Sequence, residues 1–196
     1  MTKLWFGGSF NPVHVGHLLV SRAAAEALGF DQVVLVPSAQ PPHKPLTADL
    51  AAASSRLHMC QAVTQSDPLF EVAALELHRQ GPSYTLDTVR ELRSAGEGQI
   101  SWLIGADMLY NLPTWHRIAE LMGEVTFVVV RRPGFEINWT MVQPAFQGLK
   151  THVVTAPFLE ISASEIRQRV REGRSIRYLV PPAVEQYIHE HDLYKG

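Results

Sequence analysis

The sequence predicts an α/β protein with a doubly wound parallel sheet and a small C-terminal helical segment. Short apolar runs alternate with longer amphipathic runs, and most of the short runs are apolar on both faces. Parallel strands that are covered by helices on both sides have this composition. Repeated strand–helix–strand units imply right-handed crossovers and an open sheet. We expect one domain over residues 1–196, with an α/β core over 1–157 and helices over 158–196.

Six apolar runs are the predicted strands. They span residues 3–7, 32–37, 69–77, 100–105, 125–130 and 151–156. Amphipathic runs between them predict helices over residues 15–28, 48–63, 85–94 and 115–122. Gly29 and Gly123 are the expected C-caps of the first and the last of these helices. Sheets of this kind bind ligands beyond the carboxyl ends of their strands, so the loops after Phe6, Val36 and Ile104 are the expected site.

The last part of the chain has a different pattern. Ser162 and Glu165 form a capping-box pattern in front of an arginine-rich helix that ends at Gly173. A second helix is predicted from about Pro182 to His191. We therefore expect two short helices after the sheet.

Composition excludes several classes of protein. The chain has 196 residues, 46% of them hydrophobic, which suits one substantial core. Its formal net charge of -2 provides no basic field for non-specific nucleic-acid binding. The single cysteine, Cys60, excludes an internal disulfide and makes structural zinc unexpected. No apolar run approaches the length of a membrane span, and the N-terminus lacks a signal-peptide pattern. We expect a soluble, cytoplasmic protein that binds anions locally.

The stretch GGSFNPVHVGH, residues 7–17, joins the first predicted strand to the first predicted helix. In this context backbone amides converge on phosphate oxygens, and the helix dipole adds positive potential. The glycine spacing matches neither the P-loop nor the dinucleotide-binding fingerprint. His14 and His17 should place both imidazoles on one helical face, with Gly16 allowing close approach of the backbone. Taken alone, the pattern fits a ligand-free turn equally well, and the histidine pair lacks the third ligand that zinc requires.

The whole stretch resembles the signature of the nucleotidylyltransferase superfamily, whose H-x-G-H motif lies at the N-terminus of the first helix. Three further stretches resemble motifs of bacterial nicotinate-mononucleotide adenylyltransferases: ELHRQGPSYTLDT (76–88), GADMLYNLPTWHRIAEL (105–121) and ISASEIR (161–167). PPHKP (41–45) and VVRRPG (129–134) extend the resemblance over nearly the whole chain. The chain departs from common forms in two places. Asn11 stands where many relatives have Asp, and residues 162–164 are SAS where SST is usual.

The resemblance implies a Rossmann-like fold and a reaction of NAD biosynthesis. The phosphate of nicotinate mononucleotide would attack the α-phosphorus of ATP, giving nicotinate adenine dinucleotide (deamido-NAD) and pyrophosphate. A phosphate monoester is already an anion near neutral pH, so alignment and charge neutralisation are the main tasks. Mg²⁺ is expected to arrive on the ATP phosphates, because no acidic cluster indicates a metal site of the protein itself. The expected partners are these small molecules, without nucleic acid or membrane, and self-association is left open.

The resemblance also assigns the ATP site. His14, His17 and Arg167 are the predicted catalytic residues, with the histidines donating hydrogen bonds to phosphate oxygens. The predicted ATP-binding residues are Gly7, Gly8, Ser9, Phe10, His14, Gly16, His17, Ile161, Ser162, Ser164 and Arg167. Ordinary capping by Ser162 is compatible with phosphate binding at the same turn.

The predicted residues of the nicotinate mononucleotide site come mainly from the two middle motifs. They are Lys44, Tyr84, Thr85, Asp107, Trp115, His116 and Arg132. The resemblance places the pyridine ring on Trp115, the nicotinate carboxylate at Thr85 and nearby backbone amides, and a ribose hydroxyl at Asp107. Without the resemblance, Trp115 would be interpreted as a core residue, since tryptophans are usually highly buried.

Two other functions remain as alternatives. Pantetheine-phosphate adenylyltransferases share the opening motif, but their substrate has no aromatic ring, and PSYTLDT and LPTWHR argue against them. A nucleotide-sensing domain without chemistry would keep the fold, and the presence of His14, His17 and Arg167 argues against it. Pyrophosphate release with each substrate would separate the three functions.

Overall fold

One fully parallel sheet forms the centre of the computed structural model, which describes residues 1–42, 49–157 and 159–195. The six strands found in these residues lie in the order β3-β2-β1-β4-β5-β6. Their bounds are β1 Lys3–Gly8, β2 Gln32–Pro37, β3 Phe70–Val72, β4 Ile100–Gly105, β5 Val125–Arg131 and β6 Val153–Thr155. The order reverses beside β1, so the predicted doubly wound sheet is confirmed. Its crevice lies between the carboxyl ends of β1 and β4.

Helices cover both faces of the sheet. They are α1 Val15–Leu28, α2 Ala53–Thr64, α3 Thr85–Ser94, α4 Ile118–Glu124, α5 Ala163–Arg171 and α6 Pro182–Glu190. Alternate residues of one strand enter opposite buried clusters, as the period of a strand requires. Leu4 packs in the cluster that contains residues of α1, α2, α5 and α6, whereas the next residue, Trp5, packs in the cluster of α3 and α4. None of these helices is long and apolar enough to cross a membrane.

Several predicted elements are confirmed to the residue. The strands over 32–37 and 100–105 and the helices over 15–28 and 85–94 have the bounds that the sequence predicted. Gly29 is the C-cap of α1 with a φ of 72°, in the left-handed region that glycine adopts at no steric cost. Ser162 caps α5, because its Oγ accepts a hydrogen bond of 3.1 Å from the backbone N–H of Glu165.

Other predicted bounds were wrong. The strand predicted over 69–77 is only Phe70–Val72, and a 3-10 helix over Leu75–His78 follows it. The apolar run continues past the strand because Ala73 and Leu75 pack against the buried cluster of α3 and α4. The helix predicted over 48–63 begins at Ala53, and residue 48 lies outside the described residues.

The helix predicted over 115–122 begins at Ile118 and includes Gly123, so this glycine is not its C-cap. Two 3-10 helices, Ala106–Tyr110 and Leu112–Thr114, fill the space between β4 and Trp115. Pro113 suits the first positions of such a turn, where its missing N–H has no helical partner. Trp115 therefore lies in an extended segment between two helices.

A fully buried arginine on α2 holds the loops at the carboxyl end of the sheet. Arg56 donates through Nε to the carbonyl of Ala51 (3.0 Å) and through Nη1 to those of Ser9 (2.8 Å) and Ser38 (2.6 Å). Its Nη2 donates to the carbonyl of Ala39 at 3.1 Å. Burial lowers the pKa of Arg56 below its ordinary value. The carbonyl dipoles of three separate segments thus solvate one buried cation.

Replacing Arg56 by Lys should lower the free energy of unfolding by about 3 kcal/mol or more. An ammonium group cannot reach four divergent carbonyls, and each buried polar group that loses its partner costs about 1–3 kcal/mol. The measurement is urea unfolding of the variant and the wild type. Arg93→Lys is the matched control, because Arg93 makes one exposed hydrogen bond to the carbonyl of Glu124. Equal losses in the two variants would contradict this account of Arg56.

Candidate active site

The end of β1 packs closely against β4, and this approach requires glycine at position 7. A Cβ on Gly7 would lie 2.6 Å from Cζ2 of Trp102, a residue of β4 that is 2% exposed. Real Cβ atoms do not come so near a fixed ring, so a larger residue would displace either the end of β1 or the tryptophan. The glycines of this stretch thus serve close packing as well as the predicted contact with phosphate.

His14 and His17 lie side by side at the N-terminus of α1, as predicted. Their ring centroids are 3.6 Å apart, and the backbone N–H of His14 donates to Nδ1 of His17 at 3.2 Å. Because Nδ1 accepts this bond, a neutral His17 carries its proton on Nε2. Gly16 makes room for the pair: a Cβ there would lie 3.0 Å from Nδ1 of His14.

His14 is a buried, neutral imidazole. The residue is 6% exposed, and among residues 1–42, 49–157 and 159–195 its Nδ1 has no hydrogen-bond partner. Burial lowers the pKa of His14 from 6.5 to about 4, so the ring is uncharged near neutral pH. A buried polar atom without a partner is costly, and its position beside a cavity suits a ligand that supplies the missing bond.

The N-terminus of α5 meets the loop between β1 and α1. Arg167 donates through Nη1 to the carbonyl of Asn11 at 2.9 Å, and its Nη2 lies 3.4 Å from Oγ of Ser164. The Nε of Arg167 is buried and has no hydrogen-bond partner in the part of the chain that the structure describes. The guanidinium is therefore held by the loop and partly buried, whereas ordinary capping of this helix would have left it facing solvent.

Two adjoining cavities open beyond the carboxyl ends of β1 and β4, with volumes of about 660 Å³ and about 440 Å³. We call them the first and the second cavity. The residues that line both are Phe6, Ser9, His17, Leu103, Ile104, Gly105 and Asp107. Three residues of this shared wall, Ser9, His17 and Asp107, have side chains that can form hydrogen bonds with ligands on both sides.

The first cavity brings together most of the predicted ATP-binding residues. Those that line it are Ser9, Phe10, His14, Gly16, His17, Ile161, Ser162, Ser164 and Arg167. Gly7 and Gly8 line the second cavity instead, because they are the last two residues of β1 and precede the loop that borders the first cavity. Arg132, predicted for the mononucleotide, lines the first cavity, where it lies over the ring of Phe135.

The second cavity contains the predicted aromatic residues. Tyr84, Thr85, Asp107, Trp115 and His116 line it, and the rings of Tyr84 and His116 are stacked at 4.1 Å. Trp115 is half-buried and meets Phe127 edge to face at 6.1 Å, so it is at the border of the core and not inside it. The predicted residue Lys44 lies outside the described residues.

Sequence reasoning missed a buried carboxyl group in the second cavity. Glu76 is 4% exposed, bonds to the hydroxyls of Thr88 (2.6 Å) and Ser83, and has its pKa raised by burial. Oγ of Ser83 accepts hydrogen bonds from the backbone N–H groups of Ala39 (3.0 Å) and Gln40. Glu76 thereby supports the wall formed by the loop after β2. The feature of the sequence that could have indicated a buried carboxyl group is the acidic residue at position 76 within the apolar run 69–77.

Comparison with known proteins places this site in a family. The model of the cytidylyltransferase-like family matches residues 5–169. A relative from Salinibacter ruber described as "Probable nicotinate-nucleotide adenylyltransferase" is 42% identical over 100% of this chain and 98% of its own. A relative from Exiguobacterium sibiricum with the same description is 44% identical over 96% of each chain. The chain belongs to the nicotinate-nucleotide adenylyltransferase family.

Solved structures agree with the fold expected of a nicotinate-nucleotide adenylyltransferase. The "Plasmodium falciparum nicotinic acid mononucleotide adenylyltransferase complexed with NaAD" has a TM-score of 0.75 at 19% identity, covering 99% of this chain and 98% of that one. The same protein "complexed with APC" also has a TM-score of 0.75, with coverage of 98% and 96%. At these identities the likeness establishes the Rossmann-like architecture alone.

Replacing His14 by Gln should flatten the pH dependence of stability between pH 4 and pH 6.5. In the wild type the unfolded imidazole takes up a proton near pH 6.5, whereas the folded one stays neutral down to about pH 4. Stability is therefore lost as the pH falls through this window. The loss amounts to roughly 3 kcal/mol at its full extent, since one pKa unit corresponds to about 1.4 kcal/mol.

The measurement for His14 is urea unfolding at several pH values from 4 to 7 for both proteins. Subtracting the unfolding free energy of one protein from that of the other removes the contributions of the titrating groups that both proteins share. A difference that does not vary with pH would contradict the buried, neutral state of His14.

Proposed function

We propose that this chain transfers the adenylyl group of ATP to nicotinate mononucleotide, giving nicotinate adenine dinucleotide and pyrophosphate for NAD biosynthesis. The observation that carries the proposal is the pair of cavities that share His17 and Asp107. One cavity has the histidine pair and Arg167, and the other has the rings of Tyr84, Trp115 and His116, so their common wall is where two nucleotides can react. The names of the relatives supply the identity of the second substrate.

In this proposal the first cavity holds the triphosphate of ATP. His17 donates through Nε2 and neutral His14 donates through one ring nitrogen to phosphate oxygens, where negative charge grows during transfer. The N-terminus of α5 adds its backbone N–H groups, and Arg167 adds a fixed positive charge for the departing pyrophosphate. These groups are preorganised by packing, so little reorganisation is required at the moment of reaction.

The transfer itself forms one bond and breaks one bond at the α-phosphorus. An oxygen of the mononucleotide phosphate bonds to this atom, and the bond to the bridging oxygen of the β-phosphate breaks, leaving its electron pair on pyrophosphate. Because the attacking oxygen is already anionic, no protein group has to remove a proton first. The contribution of the protein is alignment of the two phosphates across His17.

We propose that Mg²⁺ enters as part of the MgATP substrate. Among residues 1–42, 49–157 and 159–195 no three His, Cys, Asp or Glu side chains cluster closely enough to hold a metal ion. A hard cation that keeps most of its waters needs few protein ligands, and Asp107 is a carboxylate on the shared wall. The ion would offset phosphate charge. We also place the reaction in the cytoplasm, as expected from the sequence.

The second cavity suits nicotinate mononucleotide. Its aromatic wall offers flat surfaces to a pyridine ring, which favours this substrate over the aliphatic phosphopantetheine. Thr85 is the first residue of α3, where backbone N–H groups have no helical acceptor and attract anions. We propose that the nicotinate carboxylate binds there. Pyrophosphate release with ATP and either nicotinate mononucleotide or phosphopantetheine tests the whole assignment, and release with phosphopantetheine alone would overturn it.

Replacing His17 by Ala should lower kcat by a factor on the order of a hundred or more, because one preorganised donor to transition-state charge is lost. The measurement is pyrophosphate release under saturating substrates. His189→Ala is the matched control, since His189 is exposed on α6, away from both cavities. Near-normal turnover of a folded His17→Ala protein would remove His17 from the catalytic residues.

Replacing Thr85 by Val should selectively harm the acid substrate and narrow its advantage over nicotinamide mononucleotide. The first turn of α3 presents mainly donors, which suit a carboxylate and leave the amide NH₂ without an acceptor. Two charge-assisted bonds of about 1.5–3 kcal/mol each favour the acid by roughly a hundredfold or more in the wild type. Trp115→Ala should impair both substrates together, because both rings stack alike.

The measurement is kcat/KM for both mononucleotides in the wild type and each variant. Thr64→Val is the matched control for the hydroxyl, since Thr64 bonds to the carbonyl of Gln61 at the far end of α2. Equal wild-type values for the two substrates, or an unchanged preference in Thr85→Val, would refute this account of the second cavity.

A further inference from the structure

The side chain of Asn11 joins three distant segments of the chain. Its Nδ2 donates to the carbonyl of Asp49 at 2.8 Å, and its Oδ1 accepts from the backbone N–H of Ala51 at 3.0 Å. The same Oδ1 accepts a hydrogen bond of 2.8 Å from the hydroxyl of Tyr194. Asn11 is 7% exposed, so these bonds lie in a region where losing a partner is costly. The loop after β1, the segment before α2 and the segment after α6 therefore meet at one amide group.

The main chain of Asn11 extends these ties to the first cavity. Its carbonyl oxygen accepts the Nη1 hydrogen bond of Arg167, and both residues line that cavity. Rotation of the Asn11 peptide would therefore move the acceptor that orients the guanidinium. The position of Arg167 depends on how firmly the side chain of Asn11 is held.

The backbone around Tyr194 has an uncommon conformation. Asp192 and Tyr194 both have positive φ values, 50° and 64°, in the left-handed region that side chains with a Cβ rarely adopt. Such a conformation persists where the surrounding contacts determine it. The Tyr194 ring packs against the buried cluster of α1, α2, α5 and α6, and burial raises the pKa of its hydroxyl, which thus stays protonated as a donor.

We propose that Tyr194 is a positioning residue for the ATP site: through Asn11 it sets the orientation of Arg167. This inference rests on the proposed function, since it assigns ATP to the first cavity. Tyr194 touches no ligand in this proposal, because it does not line either cavity. Its effect is transmitted over two hydrogen bonds and one peptide group.

The hydrogen-bonding groups that surround position 11 suit an amide side chain. Asparagine provides one donor and one acceptor, and the structure uses both, toward Asp49 on one side and toward Ala51 and Tyr194 on the other. An ionised aspartate has no donor for the Asp49 carbonyl. The departure from the common Asp at this position therefore matches the hydrogen bonds that surround it.

The test replaces Tyr194 by Phe, which keeps the ring and removes the hydroxyl. Calorimetric titration with MgATP alone and with nicotinate mononucleotide alone gives the two affinities separately. We expect a three- to tenfold weaker affinity for MgATP and an affinity for the mononucleotide within twofold of wild type, because one hydrogen bond in the path to Arg167 is lost. Tyr187→Phe is the matched control. Its hydroxyl lies 3.1 Å from Nδ1 of His58, away from both cavities, and its loss should change neither affinity.

A double-mutant cycle separates positioning from a general loss of structure. In an Arg167→Ala background, Tyr194→Phe should weaken MgATP binding by less than twofold, because the group on which it acts is gone. Unchanged MgATP affinity in Tyr194→Phe, equal weakening for both nucleotides, or an undiminished effect in the Arg167→Ala background would each overturn the inference. A wild-type protein that binds neither nucleotide would overturn the proposed function as well, so the two failures are distinguishable.

Discussion

The site depends on the buried guanidinium of Arg56. A cation removed from water without a carboxylate partner is unfavourable unless polar groups surround it, and here four backbone carbonyls do so. Those carbonyls belong to the loop after β1, the loop after β2 and the segment before α2. Ser9 and Ser38, two of the acceptors, also line the cavities. The hydrogen bonds that solvate Arg56 therefore also hold the loops that line the two cavities.

In the proposed function, the binding of anions at this site relies on dipoles and neutral donors more than on net charge. The chain carries a formal charge of -2, and His14 is kept neutral by its burial. Helix N-termini, imidazole N–H groups and one held guanidinium are aimed at a small volume, and they act there without a general basic field. Such an arrangement would bind phosphates at defined positions in the cavity. The rest of the surface, on a chain with a net charge of -2, would attract polyanions only weakly.

The sequence predicted what local patterns determine. The pattern of residues 15–28 and the glycine that follows them predicted α1 to the residue, and most of the residues that the ordered motifs predicted for the site line the two cavities. Short 3-10 helices such as Ala106–Tyr110 were not predicted, because they are too short to show a helical repeat and their residues are as apolar as those of a strand. Arg56 had a signal, since it shares a helical face with the buried Met59, Cys60 and Val63.

What the sequence could not predict is contact between remote segments. Asn11 and Tyr194 are separated by 183 positions, and no local pattern indicates that their side chains bond. Gly7, Gly8 and Arg132 each line the cavity for which they were not predicted, and the cause is similar. Their placement depends on how the end of β1 and the segment after β5 pack at the edge of the sheet. These outcomes follow from tertiary packing, which is decided by the whole chain at once.

Trp102, against which Gly7 packs, is one of two tryptophans that give the second cavity a distinct optical property. Trp102 and Trp115 both line the second cavity, whereas the described residues that line the first cavity include no tryptophan. Indole emission responds to the polarity and the stacking of its immediate surroundings. A ligand in the second cavity would therefore lie beside two of the four tryptophans, while one confined to the first would lie beside none. The chain carries its own spectroscopic reporter of which cavity is filled, without any attached label.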